Sequence, residues 1–361
     1  MKKKRFILLL LITLIFVLQI SVMAFEGNQT SNYYASIEEA KIVASKYITA
    51  YEFDTSIADI ISIKEIYDSY ENTIAYYLQL INSSDIEYYF VISTDKQYSP
   101  VLLAGKGELS ILELENSNRL YYLGGLSVIQ AKNIDNVITS INKNSERKYS
   151  KEDLKILNKN PNAKTLWDNA LEKEKENVTI SSYDEEQKQI QMEHFNQWDA
   201  GDYIENSACG PTSQATLAEY WRANMGKSFI AGLNIFTSEG SMIEHFWIDH
   251  NGNLYGMTVN GLKSGLVEHI GPSATVSDFN SFASYKSEIN NNRPLAIKFD
   301  WEWFWEDQLF SYHWVTGLGY YYSIQFGQYL IVHDNCSDNN IVWVDYVSNV
   351  NATTMVSLNV Q

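Results

Sequence analysis

Apolar and polar positions first fall into a helical rhythm after Ser36. Ala40, Val43, Ala44 and Tyr47 recur at the spacing of one helix face, and Ser36 with Glu39 forms a capping box, so an amphipathic helix is predicted to about Ala50. Strand-like runs follow at Ile60 to Ile66, Ile74 to Ile81, Tyr88 to Thr94, Pro100 to Leu103 and Leu109 to Leu114, broken by turn residues such as Asn82-Ser83-Ser84-Asp85. A helix and then a meander of strands defines a small α+β domain over residues 25–150, with nothing in it arranged for chemistry. Ahead of it, Lys2-Lys3-Lys4-Arg5 precedes an apolar run from Phe6 to Val17 and the small residues of Ser21-Val22-Met23-Ala24. That order predicts a signal peptide over residues 1–24 and a secreted or cell-surface product with no stable membrane insertion after cleavage. An uncleaved anchor is the alternative, because Phe6 to Ala24 is nearly long enough to span a bilayer.

The pattern changes near residue 185. Residues 151–185 are charged and favour helix, with Glu172-Lys173-Glu174-Lys175-Glu176 as a solvated run, and they are expected to form a helical linker. Eight of the nine tryptophans lie beyond it, all but Trp167. In residues 186–361, Asn206-Ser207-Ala208-Cys209-Gly210-Pro211-Thr212-Ser213 opens a helix: Asn206 or Ser207 is the expected cap, Ala215, Ala218, Trp221 and Met225 mark one face, and Gly226 ends it. Leu295 to Phe299 reads as a buried strand and leads into the aromatic block Trp301-Glu302-Trp303-Phe304-Trp305, a wall of a cleft or part of the core. The next two strands run from Tyr312 to Tyr320, with His313 at the start, and from Tyr329 into Asp334-Asn335.

Composition narrows the function. With a formal charge of −17, which becomes more negative once the four basic residues of the leader are removed, the chain repels phosphate backbones and anionic membrane surfaces, so no nucleic-acid partner is expected. His245, Asp249 and His250 lie close together, but His-x-x-x-Asp-His lacks a third spaced ligand and the glutamate of a zincin. No metal or other cofactor is therefore expected, and Asp249-His250-Asn251-Gly252-Asn253 reads as a hairpin turn.

Two cysteines remain. Cys209 stands at a helix N-terminus, where the macrodipole and free backbone N–H groups favour thiolate over thiol and can also hold a developing oxyanion. A thiolate nucleophile needs an imidazole for its proton, and the imidazole needs an acceptor to orient it. Antiparallel pairing of the last two strands would set His313 beside Asp334, with Asn335 as the competing acceptor, while His333 points to the other face. The bland alternative is a Cys209–Cys336 disulfide, although Cys336, two residues beyond the acid, reads as a bystander.

Cys209-Gly210-Pro211-Thr212, the His313-x-x-x-Gly317 strand and the strand ending in Asp334 together resemble the papain-like cysteine peptidases related to the bacteriocin-processing, double-glycine-leader peptidases. That resemblance implies a papain-like fold, with a nucleophile helix packed on an antiparallel sheet, and a Cys209-His313-Asp334 triad acting on a protein or peptide. It also implies that Gln197 lends its amide to the oxyanion hole, although Gln197 lies farther before the cysteine than usual, and an insertion at Asp199 to Glu205 would account for the distance. The N-terminal domain resembles the pro-regions of some secreted bacterial peptidases, which implies a zymogen whose own pro-region is a partner. The rival readings are another acyl-transfer enzyme, such as an amidase or a transglutaminase-like crosslinker, and a non-enzymatic surface-binding protein.

Overall fold

The computed structural model describes residues 33–52, 57–82, 85–107, 109, 111–114, 117–143, 148–154, 157–172, 185–253, 256–305, 308–336 and 341–361. The expected leader over 1–24 and most of the charged run at 172–176 lie outside these residues, as do the side chains of 301–311, and with them the role of the aromatic block.

The first helix, α1 (Ile37–Glu52), begins as its capping box dictates: Glu39 N–H donates to Ser36 Oγ at 3.2 Å, and Ser36 N–H donates to Glu39 Oε2 at 2.8 Å. The meander follows as β1 (Ile57–Tyr67), β2 (Thr73–Asn82), β3 (Glu87–Ser93), β4 (Val101–Lys106), β5 (Ile111–Leu114), β6 (Arg119–Gly124) and β7 (Ser127–Ala131), then α2 (Ile134–Lys143). The last two strands and α2 are additions to the sequence reading. Gly124 and Gly125, both at positive φ, make the tight turn between β6 and β7, and Ile134, Val137 and Ile141 bury one face of α2.

Residues 163–171 form α3 (Ala163–Leu171), and this helix is packed rather than solvated. Ala163, Leu166, Trp167 and Ala170 are buried, and Trp167 Nε1 donates to the carbonyl of Tyr98. The expected linker therefore contains an element of the core, because its apolar residues fall at one helical face while its charges fall on the other.

Then come β8 (Glu185–Gln189), α4 (Cys209–Ala223), α5 (Glu239–Asp249), α6 (Val259–Ile270), β9 (Ala274–Phe279), α7 (Phe282–Asn290), β10 (Leu295–Trp305), β11 (Gln308–Ser323), β12 (Gly327–His333), β13 (Ile341–Asp345), α8 (Tyr346–Asn349) and β14 (Thr353–Val360). Asp249 to Asn253 is not a β-hairpin: α5 ends at Asp249, and Asn251, at φ 71°, turns the chain between two helices. The Asn-Gly signal marks a tight turn without saying which elements it joins.

Among the described residues the strands form one mixed sheet, ordered β5-β7-β6-β1-β2-β3-β4-β13-β12-β11-β10-β14-β9, with β8 on the free flank of β11. The fold class is accordingly α+β. The two halves of the chain meet where β4 pairs antiparallel with β13, Trp343 opposite Ala104. They also share a core: Val43, Tyr47, Phe90 and Trp167 pack in one cluster with Leu318, Phe326, Tyr329 and Trp343. No helix among the described residues is long and apolar enough to cross a membrane.

Candidate active site

Helix α4 presents Cys209 as its first residue. The cap is Ala208, with no side-chain cap hydrogen bond, in place of the expected Asn206 or Ser207. Ser207 is engaged elsewhere, its hydroxyl donating to Ile204 O and accepting from Trp247 Nε1 at 3.0 Å. Gly210 is required next to the nucleophile position because a Cβ there would lie 2.7 Å from Met257 Cβ. Gly210→Ala is expected to cost about 1–3 kcal/mol through overpacking, read as a lower urea midpoint at unchanged slope.

Strand pairing brings the distant residues to this helix. His313 lies within β11, opposite Phe299 of β10, rather than at a strand start, and Thr316 pairs with His333 of β12. His313 Nε2 lies 2.7 Å from the main-chain O of Asp334. A carbonyl only accepts, so Nε2 carries the proton and Nδ1 is the basic nitrogen. The partner of the imidazole is thus the main chain of Asp334, whereas the sequence pointed to its carboxylate; Asp334 Oδ1 accepts from the N–H of Cys336 at 2.9 Å.

Asn335, the competing candidate, has another task. It is fully buried at φ 62°, and its Nδ2 donates to Ser213 Oγ (2.8 Å), Trp314 O (3.0 Å) and Cys209 O (3.4 Å), while its Oδ1 accepts from Thr316 Oγ1. One amide therefore ties α4 to β11.

Gln197 is also fully buried beside these residues. Its N–H donates to Asn335 O (2.8 Å) and its Nε2 to Glu205 O (2.9 Å). The stretch between Gln197 and Cys209 folds as compact turns against α5, where Gly201 N–H donates to Glu244 Oε1 and a Cβ at Gly240 would collide with Asp199 O. These turns place the side chain of Gln197, twelve residues before Cys209, 3.7 Å from Cys336 Sγ.

Cys336, read from the sequence as a bystander, lies against the same imidazole. It is not disulfide-bonded, and neither is Cys209. Its Sγ lies 2.9 Å from Asp334 O, 3.6 Å from His313 Nε2 and 3.7 Å from Gln197 Oε1. Proximity to Asp334 in sequence was the available signal. His333 stacks on His194 at 4.3 Å, away from this pair.

Burial governs the protonation states. It pushes the Cys209 thiol up to about 11, against the pull of backbone N–H groups from Trp314, Gly210 and Cys209 itself. The expected lowering by the helix terminus is present but smaller than the cost of placing a charge in this apolar setting. Burial also pushes the His313 imidazole down to about 3, opposed by Asp334 O. At neutral pH the pair rests as thiol and neutral imidazole. A second histidine group, His245, His250 and His269, lies elsewhere, on α5, α6 and the turn between them.

The imidazole of His313 and the side chain of Gln197 thus lie 3.6 and 3.7 Å from the thiol of Cys336, and Asn335 ties them to the start of α4 at Cys209. Residues 189–353 match the model of the Peptidase_C39 like family, so the likeness to the double-glycine-leader peptidases extends over that stretch, a little under half of the chain. Two solved structures are similar to the chain. The peptidase domain of Streptococcus ComA, a bi-functional ABC transporter involved in a quorum-sensing pathway, is 11% identical, with 47% of this chain and 100% of that one covered and a TM-score of 0.30. A C39-like peptidase from Bacillus anthracis is 12% identical, with 47% and 97% covered and a TM-score of 0.30. No curated protein matches the chain.

Proposed function

We propose that the chain is an exported cysteine peptidase of papain-like architecture. The single observation that carries this reading is the placement of Cys209 as the first residue of α4 within the family-matching stretch, tied by Asn335 to the strand that carries His313. In the mechanism, Cys209 Sγ attacks the substrate carbonyl as its proton passes to His313 Nδ1. The oxyanion accepts hydrogen bonds from the Cys209 N–H and from the second hydrogen of Gln197 Nε2, the first being held by Glu205 O. His313 then gives the proton to the leaving amine as the C–N bond breaks. Water, deprotonated by His313, cleaves the thioester and restores the thiol.

Because the Asp334 backbone orients the imidazole, Asp334→Asn is expected to lower kcat/KM by less than about tenfold, the factor equivalent to 1.4 kcal/mol. Steady-state kinetics on a denatured protein substrate check this, and a loss as large as that of His313→Ala would return the role to the carboxylate. Mass spectrometry of products separates the reactions: new peptide termini mark a peptidase, released ammonia or crosslinks mark the amidase or transglutaminase alternatives.

The position of Cys336, 3.6 Å from His313 Nε2, favours a second reading in which it is the attacking thiol. Nε2, however, is the protonated nitrogen and cannot take a proton from Cys336 in this tautomer, so Cys209 is preferred. The leader at 1–24 supports export to the cell surface or beyond. The N-terminal domain is proposed as a partner of the peptidase part, and its shared core supports an assembly element that stays attached over a pro-region shed on activation, since removal would uncover Trp343, Tyr329 and Leu318.

A further inference from the structure

The histidine group on α5 and α6 lies outside the proposed peptidase chemistry, and its geometry is that of a ligand set. His245 Nε2 stands 3.2 Å from His269 Nδ1 and 3.1 Å from His250 Nε2, and the three facing nitrogens all lie within 4.8 Å of one another. Two nitrogens bound to one tetrahedral zinc at ~2.05 Å would be roughly 3.3 Å apart.

The outer nitrogens decide what the inner ones carry. His245 Nδ1 faces Asp249 Oδ2 at 2.8 Å, His269 Nε2 faces Ala231 O at 2.7 Å, and His250 Nδ1 faces Glu268 Oε2 at 3.5 Å. A carboxylate or a carbonyl can only accept, so each outer nitrogen carries the N–H. In the neutral imidazoles this leaves His245 Nε2, His250 Nε2 and His269 Nδ1 as bare lone pairs aimed at one another. Three converging lone pairs repel, and a cation among them turns the repulsion into coordination. The outer partners form the usual second shell of histidine-bound metals, in which a carboxylate or carbonyl fixes each tautomer and ring orientation.

The surroundings are consistent with a bound ion that solvent can reach. Phe246, fully buried, packs on His269 at 4.4 Å, and Phe236 lies 4.9 Å from His245. The His245 and His250 side chains retain 26% and 12% exposure, which provides an entry path. His245 lies within α5, His250 follows its last residue and His269 is in the last turn of α6, so one ion would clamp the two helices. α6 braces α4 through Gln214 Nε2 on Leu262 O, and α5 holds the turn just before α4 through Trp247 Nε1 on Ser207 Oγ.

We propose that His245, His250 and His269 bind one zinc-class divalent transition-metal ion, with solvent in the remaining position, as a structural clamp between α5 and α6. The sequence hid this site because its third ligand lies nineteen residues beyond His250, on another helix.

The test uses the full chain, stripped with a chelator and titrated with Zn²⁺ or Co²⁺. One Zn²⁺ per chain is expected to survive gel filtration, and Co²⁺ to give visible bands of low-coordinate cobalt without sulfur charge transfer. Zn²⁺ should raise the unfolding temperature. Asp249→Asn, which keeps all three ligands, should weaken binding ~10–100-fold, and His245→Ala and His269→Ala by more than that. The double variant Cys209→Ser, Cys336→Ser should bind as the parent does. Absence of stoichiometric binding to the parent, binding unchanged in both histidine variants, or loss of binding in the double cysteine variant would each overturn the proposal. Should either alanine variant fail to fold, the Asp249→Asn affinity and the cobalt spectrum of the parent decide the matter.

Discussion

Cys209→Ala is expected to abolish cleavage of a denatured protein substrate, with a loss of at least ~10³-fold in kcat, and His313→Ala to do nearly the same. Thiol and imidazole act as one unit, so the double variant should be little worse than either single one. Steady-state rates on a casein-like substrate, with circular dichroism to show that each variant is folded, are the measurement. Cys336→Ala should retain most of the rate, because Nε2 of His313 is fixed as a donor by Asp334 O and the proton-accepting nitrogen is Nδ1. If Cys336→Ala were the inactive variant, the assignment of the nucleophile would be reversed.

The second large effect is on stability against acid. Burial holds His313 near 3 in the folded chain, whereas an unfolded histidine titrates near 6.5. A pKa depressed by folding means that the unfolded state binds the extra proton first. The neutral histidine's contribution is therefore complete above about pH 6.5 and declines as pH falls toward 3, by up to about 1.4 kcal/mol per pH unit. His194, also pushed down to about 3 by burial and by the neighbouring His333, adds to this slope. Asp345, pushed up to about 6 by burial, works against it, because its folded form takes up a proton before the unfolded one does. The difference between the parent and His313→Gln isolates the first contribution. Urea unfolding of both between pH 7.5 and 4 should show their free energies converging as the pH falls, and parallel curves would contradict the burial of a neutral His313.

Much of the architecture was legible because single residues carried it. Ser36 and Glu39 announced α1, whereas α4 ends at Ala223, before the expected stop at Gly226, and leaves Met225 exposed beyond the helix. Alternating and apolar runs marked most of the first strands. The pairing of β4 with β13 had no local signature, since long-range strand partners are chosen by shape and burial across the whole core. The same limit applied to the site. Cys209 stood out through its helix start, but the cap moved to Ala208 because Ser207 is recruited by Trp247. The sequence offered Asp334 and Asn335 as side-chain acceptors, and it could not show that a main-chain carbonyl meets the imidazole while Asn335 stitches helix to strand. His269 had no signal in the sequence because it becomes chemically meaningful only through His245, distant from it in the chain, and the contact of Cys336 with His313 likewise depends on strand pairing.

Covalent labelling with mass mapping decides whether Cys209 is the nucleophile. The folded protein is treated at neutral pH with a limiting amount of a thiol-directed epoxide, digested, and the modified cysteine is identified in the parent and in His313→Ala. The account predicts modification at Cys209 in the parent and its loss in His313→Ala, with activity falling in proportion to label. Label at Cys336, or label at Cys209 that is indifferent to His313, would contradict it.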